Sequence, residues 1–238
     1  MDIPRFEASQ VEPRLIGDIV ARARRARSKA LGSLLSRAVR RLFRRDAARP
    51  ARQAGAGGQG ATTIAIRTAG SADRDRIEAL VRGLSPESRY LRFFNSIREL
   101  PPQWLDRFAR PPSEDSLTLL ALSSIEGEEV PVGMAQYSAG KAGGRGEFAV
   151  VVADDWQRRG IGGRLIRQLV CIARDMGLAL LECEVLAENH RMLRLARALG
   201  FAVERNRESP LSVRASLPLS VARWDCAPLA TTAAGASS

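Results

Sequence analysis

Residues 157–165 read QRRGIGGRL: three glycines, three arginines and no acid in nine positions. The apolar run EFAVVV (147–152) precedes them. After them Leu165, Ile166, Leu169, Ile172, Ala173 and Met176 fall on one face of a helix. The stretch is therefore a glycine-rich turn between a strand apolar enough to be buried on both faces and an amphipathic helix. A helix opening on such a turn leaves unpaired N–H groups at its positive end, an arrangement that suits a phosphate.

Three glycine loops fit that description to different degrees. A nucleoside-triphosphate loop is excluded, because no Lys-Ser/Thr pair follows the glycines. The dinucleotide pattern G-x-G-x-x-G is closer, with Gly160 and Gly162 in place and Glu182 or Glu184 at ribose distance. Leu165, however, occupies the third glycine position, and ADDWQRR separates the glycines from the strand end where that pattern needs them. The third reading is a coenzyme A pyrophosphate loop, [Q/R]-x-x-G-x-[G/A], which Gln157, Gly160 and Gly162 satisfy.

Working outward, the chain of 238 residues is long enough for one substantial core plus an arm. Its net charge of +11 is unevenly spread: residues 1–60 carry 14 Lys+Arg against 5 Asp+Glu, and the remainder 23 against 21. The basic character thus belongs to the N-terminal arm. There Leu15, Ile19, Ala23, Ala26, Ala30, Leu34, Ala38 and Leu42 form a helical stripe opposite many arginines, and ARPARQAGAGGQGA follows as a flexible linker. The arm is expected to be a basic amphipathic helix. It would pack on its own domain or a second copy, or dock on an anionic membrane surface. Nucleic acid is the weaker expectation, since Phe43 is the arm's only aromatic within that helix. Three cysteines and a single histidine, His190, argue against a metal site and against a disulfide framework. They fit a cytoplasmic protein, peripheral to the membrane if the arm docks there.

The remainder reads as a mixed α/β domain over residues 61–220, with a central mixed sheet of about six to seven strands flanked by helices. Strands are predicted at TTIAIRTA, SLTLLALSS, VPVGMAQYSA, GEFAVVVAD, LALLECEVL, FAVERN and LSVRASL. Helices are predicted after Ser71 and Ser85, each as N-cap, over PPQWLDRFAR, and over the two segments closed by Gly177 and Gly200. Residues 221–238 are expected to be a disordered tail.

The loop, its flanking strand and helix, and ENHRMLRLARALGF fall in one order, and over residues 62–218 the sequence resembles the GNAT superfamily of N-acetyltransferases. LSPESRYLRFF, GEFAVVVADDWQRRGIGGRL and VLAENHRMLRLARALGF are most similar to the acetyltransferase domain of Pat-type bacterial protein lysine acetyltransferases. The resemblance implies acetyl-CoA as cosubstrate. Backbone N–H groups of Arg158, Arg159, Gly160, Ile161, Gly162 and Gly163, beside Gln157, would cradle the pyrophosphate. Arg158, Arg159 and Arg164 either add charge there or form a solvated face. Val150, Val151 and Val152 would offer the strand edge to the pantetheine arm, with an N–H near Val150 for the developing oxyanion. Asn189 either reaches that arm or is an ordinary helix N-cap.

The resemblance also makes Glu147 the general base. A lysine ammonium titrates near ~10.4 and must lose a proton before it attacks a thioester. The alternative is a strand-end carboxylate paired with Arg145. Where many members of the superfamily have a tyrosine acid, this chain has Ala196. Glu182, Glu184, Glu188 and Tyr137 are weaker candidates for the acceptor side. The implied reaction is direct acetyl transfer in a ternary complex to a protein lysine, for instance on an acyl-CoA synthetase. A small-amine acceptor or a non-catalytic acyl-CoA-binding module stays open.

Overall fold

A computed structural model describes residues 63–139, 144–206 and 209–222. The predicted arm and linker, and the tail beyond its first two residues, lie outside the described residues. The strands are β1 (Ile64–Thr68), β2 (Ser116–Ile125), β3 (Glu128–Ala139), β4 (Arg145–Val152), β5 (Leu180–Leu186), β6 (Ala202–Arg205) and β7 (Ser212–Pro218). The helices are α1 (Arg74–Arg82), α2 (Pro86–Phe93), α3 (Pro102–Phe108), α4 (Ile161–Asp175) and α5 (His190–Ala198).

The seven strands form one sheet in the order β1-β2-β3-β4-β5-β7-β6. Neighbours are antiparallel except β4 and β5, which run parallel. That exception follows from the sequence between them. A buried strand, an amphipathic helix of 15 residues and a second strand make a crossover unit, and crossovers give parallel pairs. The sheet carries a core on each face. Phe148, Val150 and Val152 of β4 pack toward Leu165, Leu169, Leu193 and Ala196 of α4 and α5. Val151, one residue out of phase, packs toward Ile77, Leu80, Phe93 and Leu105 of α1–α3. Strand alternation thus assigns each β4 side chain to one layer.

Two expectations needed correction. Ser71 does not cap the first helix. It opens a 3-10 turn (Ser71–Asp73) whose N-cap is Gly70, and the Asp73 carboxylate accepts from the Gly70 N–H at 2.9 Å. The carboxylate three residues on thus makes the reciprocal half of a capping box, and no side chain caps the first helix. In addition, Cys171 on α4 is disulfide-bonded, whereas Cys183 keeps a free, buried thiol; the sparse cysteines had argued against a disulfide framework and gave no sign of this bond.

Asp73 also receives both guanidinium nitrogens of Arg67 from β1, at 2.7 and 2.8 Å. Both side chains are only 5% exposed. Burial pushes the Asp73 carboxyl up, but the hydrogen bonds from Arg67, Gly70 and Arg76 outweigh it and lower it to about 2. The pair ties the first strand to the first helix. Removing one partner strands a buried charge, so Asp73→Ala is expected to cost about 3–5 kcal/mol in urea unfolding, and the double variant Arg67→Met/Asp73→Ala less than the single. A carboxyl with a lowered folded-state pKa stabilises fully above its unfolded value, near ~3.9. The pair's stabilisation should therefore persist at neutral pH and fade as pH falls toward about 2.

Candidate active site

The cleft exists because β4 and β5 stay together for only three residue pairs: Arg145 with Leu180, Gly146 with Leu181, and Glu147 with Glu182. Beyond Glu147, β4 remains paired with β3 up to Val152, opposite Gly133, while β5 continues alongside β7. The Ala153 N–H donates to the Val132 carbonyl at 2.9 Å. Backbone groups alternate sides along an antiparallel strand, so Val151 and Ala149 also turn theirs to β3. Phe148, Val150 and Val152 turn N–H and C=O into the gap. One of these groups is used: the Gln157 amide donates to the Val152 carbonyl at 3.2 Å. The gap widens into a cleft of about 400 Å³, lined by Phe148 to Val152 on one side and Cys183, Glu184 and Val185 on the other.

At the mouth of the cleft the chain leaves β4 through a 3-10 turn (Asp154–Trp156) and enters α4 at Gly160. Gly160 has φ of +79°, a left-handed conformation that a side chain disfavours even though a Cβ there would meet nothing within 4 Å. Arg158 shares that conformation, at φ 62°. No side chain caps α4, and its first internal bond is from Arg164 N–H to the Gly160 carbonyl. The N–H groups of Ile161, Gly162 and Gly163 precede that bond and have no intrahelical acceptor. A Cβ on Gly162 would lie 3.4 Å from Leu195 and 3.7 Å from Val152, so this first turn is seated against α5 and β4.

The arginines divide. Arg158 lines the cleft, as do Arg191 and Arg194 of α5, which the sequence reading did not single out. Their signal was spacing: both follow the Asn189 cap on successive turns. Arg159 stacks on Trp156, its Cζ 4.8 Å from the ring centroid. Arg164 turns away and donates to the Ile64 carbonyl at 2.9 Å. Asn189 caps α5, its side chain accepting from Met192 N–H at 3.0 Å, and it also lines the cleft.

Gln157 and Asp154 hold the mouth in shape. Asp154 accepts from the Ser85 N–H and hydroxyl, both at 2.8 Å, and from the Ser88 hydroxyl at 2.7 Å. The Gln157 amide donates to Ser88 Oγ at 3.1 Å, and its oxygen accepts from Arg191 at 3.1 Å. Helices α2 and α5 are thus fastened to the loop between β4 and α4. Ser85 is the predicted cap of α2, accepting from Ser88 N–H; its use of Asp154 was not legible locally, because the two lie 69 residues apart.

Glu147 stands at the closed end, where the strands part. By alternation it shares the α1–α3 face with Ala149 and Val151; unlike them, it is not part of the cleft lining. Its neighbours are Ser138, opposite it on β3, and Arg107 of α3, which donates to Ser138 Oγ at 3.1 Å. Burial and the charge of Arg110 pull the Arg107 guanidinium down, and the charge of Glu147 pushes it back up. Arg145 lies 3.9 Å from Glu182. Glu184 lines the cleft, holding Asn206 at 2.9 Å and the Ser212 hydroxyl. Tyr137 packs over Gly146 on the other face, where burial and Asp115 push its hydroxyl up to about 12. Ala196 is core. Cys183 lines the cleft, but burial and the charge of Glu182 push its thiol up to about 12, so it stays protonated at neutral pH.

An open strand edge running from an acid to an unpaired helix start suits an elongated carrier with a phosphorylated end, and known proteins agree on the class: this is an acyltransferase. The chain belongs to the acetyltransferase (GNAT) family, whose family model matches residues 85–201. An acetyltransferase of Pseudomonas aeruginosa is 33% identical over 150 residues, covering 63% of this chain and 81% of that one. The GNAT domain of S. lividans PAT is 25% identical, with a TM-score of 0.58 over 64% of this chain and 89% of that one. Salmonella typhimurium yncA, solved with its cofactor acetyl-CoA, shares the fold at 21% identity and a TM-score of 0.52 over 71% of this chain and 99% of that one.

The Asp154 clamp is testable. Burial pushes its carboxyl up, but the hydrogen bonds from Ser85 and Ser88 pull it below its ordinary value. Its stabilisation is therefore present at neutral pH and lost as pH falls through the lowered value. Asp154→Ala should unfold at lower urea by roughly 1 kcal/mol at pH 7, and the gap to wild type should close in acid.

Proposed function

We propose that this chain transfers an acetyl group from acetyl-CoA directly to the side-chain amine of a protein lysine. The observation that carries the reading is the alignment of three features along β4. The unpaired N–H groups of α4 lie at one end, the free edge of Phe148, Val150 and Val152 in the middle, and Glu147 at the other end. From Glu147 to Val152 the strand spans roughly 17 Å at about 3.3 Å per residue, the scale of a pantetheine arm.

The residues present fit the coenzyme. Its pyrophosphate meets the N–H groups of Ile161, Gly162 and Gly163 and the charges of Arg158, Arg191 and Arg194, so the loop supplies both dipole and counter-charge. The arm adds to the β4 edge as an extra strand would. The Val150 N–H, which faces the gap, would be the donor available to the thioester oxygen, where negative charge develops. Glu147, near Ser138 and Arg107, would accept the proton of the incoming ammonium, directly or through one water; the amine then forms the C–N bond, the C–S bond breaks, and the departing CoA thiolate takes up the proton that the amide nitrogen sheds, through solvent. Direct transfer is supported by the state of the thiol lining the cleft: burial and Glu182 push Cys183 up, which disfavours a thiolate nucleophile. Membership of the GNAT family supports the chemistry. The likeness to the S. lividans PAT domain, together with the Pat-like sequence motifs, supports a protein lysine as acceptor.

Glu147→Gln is the deciding variant. Steady-state kinetics on a lysine acceptor should show kcat reduced roughly 10²–10⁴-fold, the usual worth of a general base, with acetyl-CoA affinity nearly unchanged. Turnover that survives the substitution removes Glu147 from the chemistry.

A further inference from the structure

Two arginines on the α1–α3 side of the sheet are taken out of water to different degrees, Arg67 buried and Arg92 half-buried, and the protein treats them differently. Arg67 has a buried carboxylate against it. Arg92 of α2 has none among the described residues. One nitrogen, Nη2, donates to the Gln136 side-chain oxygen. Its Nε is shut off from solvent and has no hydrogen-bond partner. The guanidinium sits over the neighbouring Phe93 ring, 4.7 Å from its centroid, and burial lowers it to about 10. A guanidinium has five N–H donors, and burying it without a counter-charge is costly. Arg92 lines the cleft, so an incoming ligand can reach it. The acids of that lining are committed elsewhere in two cases, Asp154 to Ser85 and Ser88, and Glu184 to Asn206 and Ser212.

Its position excludes the phosphates as the intended partner. Gln136 stands opposite Ala149 in the β3–β4 register, between Glu147 and Val150. That is the acyl end. The unpaired N–H groups of α4 lie past Val152 and beyond the 3-10 turn. Arg107 stands on the same face, at the level of Glu147 and Ser138, and adds a second positive charge.

We propose that Arg92, backed by Gln136, is a carboxylate-binding subsite at the acyl end of the cleft. The carboxylate arrives either on the acceptor, as an acidic neighbour of the lysine, or at the far end of a dicarboxylic acyl group. The placement of the acyl end rests on the coenzyme reading above; the half-buried guanidinium without a counter-charge does not.

The test is calorimetry on the full chain in three arms. Glutarate against glutaramide, titrated without coenzyme, reads the subsite alone. Succinyl-CoA against acetyl-CoA reads a carboxylate on the acyl group. With CoA bound, a capped Lys-Glu peptide against its Lys-Gln counterpart reads a carboxylate on the acceptor. Glutarate is expected to bind and glutaramide not to. In one of the other arms the carboxylate-bearing member is expected to bind at least about tenfold tighter, the usual worth of a charge-assisted bond. Arg92→Gln should erase both preferences and Arg92→Lys retain part of them. The wild-type comparison needs no variant, so it stands even if Arg92→Gln folds poorly. Glutarate bound no better than glutaramide, or a preference that survives Arg92→Gln, overturns the subsite. Glutarate bound while acetyl-CoA is not would instead overturn the coenzyme reading and leave the subsite standing.

Discussion

Everything functional in this fold depends on where two parallel strands stop holding each other. β4 and β5 share three residue pairs and then diverge, each kept in place by its other neighbour, β3 or β7. Had they stayed paired, the N–H and C=O groups of Phe148, Val150 and Val152 would be spent within the sheet. Parting leaves them directed into a cleft, and a buried polar backbone group needs a partner. The sheet is thus incomplete by one short strand. An extended ligand can complete it, with the first turn of α4 standing at the end of that missing strand.

The positive end of the cleft is built from backbone as much as from side chains. Gly160 gives α4 a start that no hydroxyl or carboxylate covers, so the helix dipole and its first N–H groups face outward. Arginines help only where the surrounding structure aims them. Arg158, Arg191 and Arg194 are aimed at the cleft, while Arg159 and Arg164 are occupied by Trp156 and the Ile64 carbonyl. Asp154 keeps its negative charge at the mouth but is turned onto Ser85 and Ser88, where it serves as a clamp. The result is separation along one strand: anion binding at the mouth, proton chemistry at the closed end near Glu147.

Much of this was legible in the sequence because it is periodic. The apolar runs of β2, β3 and β4 and the 3.6-residue stripes of α4 and α5 each dictate an element, and the strand-helix-strand order dictates the parallel pair. The glycine loop was legible because only glycine adopts the Gly160 backbone at little cost. What escaped is what distance in sequence conceals. Ser71 looked like a cap, yet it lies inside a 3-10 turn, and Asp73, held by Arg67, accepts from the Gly70 N–H ahead of that turn. Arg67 and Arg92 drew no reading at all, because nothing local marks a guanidinium as withdrawn from water. Asp154 lies 69 residues from the serine it clamps. The Cys171 disulfide was missed because three scattered cysteines carry no spacing signal.

The claim that the α4 start and the β4 edge form one coenzyme groove is tested most directly by titrating acetyl-CoA into the purified protein and into Gly160→Glu. The substitution forces a side chain onto a backbone at φ +79°. It also sets a carboxylate among the N–H groups proposed to hold the pyrophosphate. The account predicts saturable one-site binding by the wild type and affinity at least about tenfold weaker in the variant, by like-charge repulsion and a disturbed helix start. A wild type that does not bind acetyl-CoA, or a folded variant that binds it equally well, would contradict it.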